Sequence, residues 1–344
     1  MYGIIDIGSN TIRLNIYKME NNQPRLLLSK KEAAGLASYI RHGRMMADGI
    51  ERASTVLHEF KFLLDEFNIE GFAFATAALR NIDNSEEAVA ELQRRTGLSI
   101  VVLPGEKEAE LDFIGIMHTN PAKCGLLVDI GGASTEIVIY EKTKIIKAVS
   151  LPLGSLNMYN KYVQHLIPNR TERRAIKQEV LAALANDPDF SQNTYKNILN
   201  LCGVGGTLRA ASRLNNELFD LSTENQEINA PNIKKIIKLL ENDEDDELVS
   251  IDTLDVLLRI VPDRVRTVLP GMIILHTLIR YFHVKLIHVS RTGVREGYLY
   301  DQVLKKQQAA APAAADSTAS PDTTTDKTPA ESKTEDVDRH AEDA

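Results

Sequence analysis

Residues Leu126-Leu127-Val128-Asp129-Ile130-Gly131-Gly132-Ala133-Ser134-Thr135-Glu136 repeat, about 120 positions later, the pattern of Gly3-Ile4-Ile5-Asp6-Ile7-Gly8-Ser9-Asn10-Thr11. Each copy runs from a hydrophobic strand into Asp-Ile-Gly and on to hydroxyl residues. These are the parts of a phosphate cradle. A buried strand delivers an Asp to its end, and glycine lets the backbone turn tightly and approach a ligand. Backbone N–H groups in such a turn form an anion-binding concavity, to which Ser and Thr add donors. Gly8, Ser9, Asn10 and Thr11 in the first copy are therefore candidate phosphate-binding residues, with Gly131, Gly132, Ser134 and Thr135 in the second. Two such loops facing each other clamp a phosphate chain from both sides and leave the Asp6 and Asp129 carboxylates to hold a divalent metal.

Outward from the loops, the two halves read alike. Residues 1–17 form strand, turn and strand, and 24–30 a third strand. A helix over Ala47–Glu66 follows, with Ile50, Ala53, Val56, Leu57, Phe60 and Leu64 on one face. Residues 72–75 and 99–103 are short strands. Ser85 caps a helix through Thr96, and Gly105 leads into another to about His118. From Gly125 the order restarts: strands to Leu151, helices near 155–165 and 172–186, a strand at 196–202, helices near 230–241 and 272–283, and a late strand at 285–289. The reading is an α/β protein with domains at 1–120 and 121–303 and a cleft between them. A third glycine turn, Cys202-Gly203-Val204-Gly205-Gly206-Thr207, brings Gly205 and Gly206 beside that cleft as backbone donors. It lacks dinucleotide-fingerprint spacing, and no glycine loop is followed by Lys-Ser/Thr, so neither a Rossmann nor a Walker-type nucleotide site is expected.

Composition bounds the rest. The chain has 344 residues, 43% of them hydrophobic, and a net charge of −8. The segment from Gln307 carries −6 of that charge and lacks large apolar residues, which reads as a disordered tail. The near-neutral remainder can still concentrate positive charge in one cleft. Cys124 and Cys202 read as buried thiols of a reducing compartment. No apolar run approaches the ~20 residues that span a bilayer. The expectation is a cytoplasmic protein without membrane or nucleic-acid partners. The acidic run Asp243–Glu247 lacks EF-hand spacing and reads as a solvated loop.

Several segments, taken in order, resemble the exopolyphosphatase/guanosine pentaphosphate phosphatase family. They are Asp6–Leu14, Ala75-Thr76-Ala77-Ala78-Leu79-Arg80, Gly105-Glu106-Lys107-Glu108-Ala109-Glu110, Asp129–Glu136, Gly203–Thr207 and Val294-Arg295-Glu296-Gly297. The resemblance spans about residues 1–303. It implies a duplicated actin-like (ribonuclease H-like) fold and hydrolysis of terminal phosphoanhydride bonds with Mg²⁺ or Mn²⁺. By residue, it implies Glu108 as general base, Asp129, Glu136 and Asp6 near the metal, and Arg13, Arg80 and Arg264 on the phosphates. Arg295 is a weaker match, since a buried salt bridge explains it equally.

The resemblance names inorganic polyphosphate as leading substrate, with guanosine pentaphosphate or another oligophosphate as the alternative. A non-catalytic polyphosphate or alarmone sensor and a polyphosphate:ADP phosphotransferase are the readings from other classes. Members of the family often form homodimers, and nothing in this sequence fixes the oligomeric state. Ala133 stands where the second loop of the family commonly has glycine, which requires a backbone conformation open to L-residues.

Overall fold

A computed structural model of the chain describes residues 1–21, 23–119, 125–191, 195, 197–241 and 250–306. Cys124, the acidic run 243–247 and the tail from Gln307 lie outside these residues. In the first half, β1 (Tyr2–Ile7), β2 (Thr11–Glu20) and β3 (Gln23–Ala33) form an antiparallel meander. A small ribbon, β4 (Ile40–Arg41) and β5 (Arg44–Met45), leads to α1 (Ala47–Glu66). Then come β6 (Glu70–Ala75), α2 (Ala77–Arg80), α3 (Ser85–Thr96), β7 (Ile100–Val102) and α4 (Gly105–Thr119). Strands β6 and β7 run parallel to β1, giving the order β3-β2-β1-β6-β7.

The second half repeats this plan. It contains β8 (Leu126–Ile130), β9 (Thr135–Glu141), β10 (Lys144–Leu151), α5 (Ser155–Tyr162), α6 (Arg170–Asn186) and α7 (Pro188–Ser191). It continues with β11 (Asn200–Val204), α8 (Gly205–Leu218), β12 (Glu227–Asn229), α9 (Ala230–Leu239), α10 (Ile251–Ile260), α11 (Val268–Phe282), β13 (Leu286–Val289) and α12 (Val294–Tyr298). Its sheet order is β10-β9-β8-β11-β13, with β12 added at the edge. The matching order and strand directions make the chain the duplicated actin-like fold expected from the sequence. Among the described residues, no helix is long and apolar enough to cross a membrane.

Two local readings are corrected. Ser85 is the first residue of α3 and not its cap; the cap position belongs to Asn84, whose side chain instead pins the ribbon through the Met45 N–H and carbonyl at 2.9 and 3.1 Å. Helix α8 was read only as a glycine turn. Gly205-Gly206 is a poor helix start by propensity, but Leu208, Ala211 and Leu214 bury one face of the helix and hold it.

Strand parity places the chemistry. Along β1, Ile5 and Ile7 enter the core under α1, so Ile4 and Asp6 face the other way. Along β8, Leu126, Val128 and Ile130 enter the helical core, while Leu127 and Asp129 face the opposite side. Cross-strand pairing then sets Arg13 beside Asp6 and Glu136 beside Asp129. The duplicated positions thus carry arginine in one half and glutamate in the other.

The face beneath Asp129 and Glu136 is covered by α4, through Ala109, Phe113 and Ile116 on Leu127, Val138 and Val204. The face beneath Asp6 and Arg13 is covered by α12 and the turn after it, through Val294, Tyr298, Leu299 and Val303 on Ile4, Tyr17 and Phe74. Each half therefore lends its last helix to the sheet of the other, and Met1–Lys305 packs as one unit. A cut between 120 and 121 does not separate the two cores, because the exchanged helices cross it. Gly297 allows the crossing: α12 lies directly against the Leu111 carbonyl of α4, where a Cβ would clash.

Candidate active site between the two glycine loops

The two loops share one geometry. Gly8 N–H donates to the Thr11 carbonyl at 3.1 Å, and Gly131 N–H to the Ser134 carbonyl at 2.9 Å. In each, the loop carbonyls are taken by the next helical turn. Ser9 and Asn10 accept from Ala37, Ala34 and Gly35; Gly131 and Gly132 accept from Ser155, Leu156 and Asn157. With the carbonyls tied back, the loops present amide donors to the cleft, the arrangement that attracts anions. The loops also meet, since a Cβ on Gly132 would sit 3.2 Å from Ser9 Cβ and 3.6 Å from Asn10 N. Ala133 is not at positive φ, so its methyl group is accommodated.

One wall of the cleft is acidic. Glu108, on the first turn of α4, lines it and is 8% exposed. Burial pushes its pKa well up; neighbouring Glu136 pushes it further, and Arg80 opposes the shift. Asp129 is raised to about 6 by burial, against the pull of Arg209 and Arg295. Glu136 is raised to about 7, by burial first and Asp129 second. Asp112, one helical turn beyond Glu108, is fully buried, with the Val294 backbone as the polar group beside its carboxylate among the described residues. Burial and Asp129 raise its pKa strongly.

Arg80 belongs to this wall. It donates to Glu108 at 2.7 Å and to the Leu103 carbonyl at 3.0 Å, and its other nitrogen lies 3.7 Å from Glu136. Its guanidinium is bonded to Glu108 and lies within ion-pair distance of Glu136, so in this structure it faces the buried carboxylates.

The facing wall is basic. Arg13, Arg209 and Arg264 line the cleft, and no described carboxylate lies within ion-pair distance of any of them. Burial lowers the pKa of all three. For Arg209 it falls to about 10, with Arg295 and Arg13 adding repulsion. Like charges held together without a direct ion pair favour a polyanion. Arg209 escaped the sequence reading because α8 did; four residues after Gly205, it lies on the same face of the first helical turn. Arg295 is a structural ion pair, bonded to Asp6 at 2.8 Å. Burial opposes its charge, but Asp6 and Glu296 outweigh it and raise the pKa. Tyr17 donates to Glu296 in the same buried network.

The third turn carries these walls. Gly205, at φ +80°, has the Asp129 carboxylate where a Cβ would stand, and Gly206 is covered in the same way by the Arg264 guanidinium. Thr135 is fully buried, and its hydroxyl donates to the Leu153 carbonyl, just past β10, at 2.5 Å. The three expected metal ligands do not converge either. Asp6 is held by Arg295, and Glu136 lies behind the cleft, accepting from Ser150 at 2.7 Å. Among the described residues no three His, Cys, Asp or Glu side chains form a ready metal cage. A Mg²⁺ site needs only one or two carboxylates, with waters and substrate phosphates completing it. Asp129 on the cleft surface, backed by an excess of buried carboxylates, fits that need.

A family model described as the Ppx/GppA phosphatase family matches residues 15–306. The chain is 28% identical over 325 residues to a bifunctional 3-dehydroquinate synthase/phosphatase of Fusobacterium nucleatum, covering 88% of this chain and 46% of that protein. It thus spans about half the length of that relative. It is 24% identical to exopolyphosphatase 1 of Mycobacterium tuberculosis, covering 86% of each chain. An exopolyphosphatase structure from Cytophaga hutchinsonii superposes with a TM-score of 0.76 at 24% identity, covering 88% of this chain and 97% of the other; that likeness supports the fold.

Proposed function

The chain belongs to the Ppx/GppA phosphatase family, and from that premise we propose that it is a divalent-cation-dependent hydrolase releasing terminal phosphate from inorganic polyphosphate. The carrying observation is that one cleft brings together a buried base candidate, Glu108, and three arginines that have no direct ion pair among the described residues. The loop amides and Arg13, Arg209 and Arg264 hold the phosphate oxygens. Glu108 accepts a proton from a water molecule whose oxygen attacks the terminal phosphorus. The bridging P–O bond breaks, and its electron pair leaves with the shortened chain. A carboxylate whose pKa is raised towards working pH suits that step, and such a base contributes about 10²–10⁴-fold. A divalent cation at Asp129 supplies charge neutralisation of the phosphate oxygens.

A second recess favours the alternative substrate, guanosine pentaphosphate. Beyond Asn10 and Arg264, Tyr159, Leu156, Leu254 and Leu258 form an apolar hollow of the kind a nucleoside could enter. The test is Mg²⁺-dependent phosphate release from medium-chain polyphosphate, tripolyphosphate and guanosine pentaphosphate, side by side and without ADP. Faster release from polyphosphate supports the reading. Release from the nucleotide alone moves the assignment to that substrate. Dependence on ADP indicates a phosphotransferase, and binding without release indicates a sensor.

A further inference from the structure

Beyond the arginine wall the cleft opens into a second hollow on the side away from Glu108. The cleft has a volume of about 110 Å³ and the hollow about 370 Å³. They share Arg13, Gly206, Arg209 and Arg264, so whatever passes the arginines enters the hollow. Its outer wall adds Lys31, Arg213 and Arg291. Acids only partly balance them: Asp263 pairs with Lys31 and lies 3.7 Å from Arg213, and Glu224 pairs with Arg291. The cationic excess therefore continues outward from the cleft.

The hollow is ill suited to a nucleobase. Among the described residues lining it, Val289 is the one hydrophobic side chain and none offers an aromatic ring to stack on. Two of its polar side chains are engaged elsewhere. Asn225 bonds to the Asn216 side chain at 2.8 Å and to the Glu227 backbone, and the Ser212 hydroxyl donates to the Asn225 carbonyl at 3.3 Å. The glycine turn at its inner end is covered by the Asp129 carboxylate and the Arg264 guanidinium, so no ring can lie on that backbone.

We propose that this hollow is a distal phosphate subsite, in which Arg213 and Arg291 hold phosphates of an inorganic polyphosphate chain threaded from Glu108 past Arg13, Arg209 and Arg264. The proposal rests on the phosphohydrolase reading of the cleft and selects the inorganic chain over the nucleotide. A long chain reaches the subsite and a tripolyphosphate does not.

The test is calorimetric binding to the full chain carrying Glu108→Gln, which keeps the substrate uncut, with and without Arg213→Ser and Arg291→Ser together. Both arginines are exposed ion-pair members, so the fold tolerates their loss. The double change is expected to weaken medium-chain polyphosphate about tenfold, as for two partly screened charge contacts, and to leave tripolyphosphate within about twofold. Equal loss for both ligands, or loss for neither, overturns the subsite. So does tighter binding of guanosine pentaphosphate than of the inorganic chain, weakened by Leu254→Asp, because that places the substrate in the other recess. Phosphate release by the unmodified chain is scored separately. Its absence with the binding pattern intact refutes hydrolysis and keeps the subsite, whereas release without the pattern does the reverse.

Discussion

Replacing Arg80 by Met separates tuning the base from gripping the substrate. Arg80 lies 2.7 Å from Glu108 and 3.7 Å from Glu136, in a position 14% exposed. At an effective dielectric of about 20, unit charges about 4 Å apart interact by roughly 4 kcal/mol. In practice a neighbouring arginine holds a carboxylate pKa down by about 1–3 pH units. The sign follows directly. Arg80 favours the charged form of Glu108, so its removal raises the Glu108 pKa and leaves less base deprotonated at a given pH. The acid limb of kcat/KM for polyphosphate should therefore move up by about 1–3 pH units, with a tenfold loss per unit below the limb. Activity should recover to within about tenfold of the parent above it. Losing the bond to the Leu103 carbonyl costs about 1–3 kcal/mol of stability, which thermal melting will show. A uniform drop at every pH, with the limb unmoved and KM raised, would refute the argument and return Arg80 to the phosphates.

Three further outcomes follow from the same geometry. Arg209→Ala removes one of a set of repelling cations, so the protein without substrate should melt no lower, while polyphosphate binding by calorimetry weakens about 10–100-fold; a lower melting point with unchanged affinity would contradict this. Gly206→Ala places a methyl group where the Arg264 guanidinium lies. The helix should gain up to about 1 kcal/mol while kcat/KM falls about 10–100-fold through the displaced arginine; unchanged kinetics would show that Arg264 is not needed there. Asp129 and Glu136 have folded pKa values near 6 and 7, above their ordinary ranges. Their protonated forms stabilise the fold at low pH, and that stability is lost as pH rises through 6 and 7, by about 1.4 kcal/mol per pH unit per group. Melting without divalent cations should be higher near pH 5 than near pH 8, and Mg²⁺ should narrow the gap by binding the ionised Asp129 carboxylate; the opposite slope would refute the assignment.

The glycine loops were legible because their chemistry is local: strand, Asp, turn and hydroxyl lie within ten residues. The duplication also pointed to two halves of similar fold, since two similar half-sequences require two similar halves. The seven-residue step from Asp6 to Arg13 and from Asp129 to Glu136 was readable as well, as a turn joining antiparallel partners. What covers each sheet face was not readable, because the exchange of α4 and α12 is a tertiary choice that period-two patterning does not encode. The same exchange sets the surroundings of Arg80, which the local sequence does not supply. Its partners lie 28, 56 and 70 residues away in sequence, at Glu108, Glu136 and Ser150. Asp112 carried a signal, at i+4 from Glu108 on one helix face, which became meaningful once that face met the second sheet. Thr135 is opposite in parity to Glu136 on β9, and its hydroxyl bonds to the Leu153 carbonyl just past β10.

The most direct test of Glu108 as the base is phosphate release by Glu108→Gln set against its affinity for polyphosphate. The amide keeps the shape and cannot take the proton. Release should fall by about 10²–10⁴-fold while calorimetric affinity is retained. Release within about tenfold of the parent chain, or a loss of affinity that accounts for the loss of rate, would contradict the assignment of Glu108 as the base.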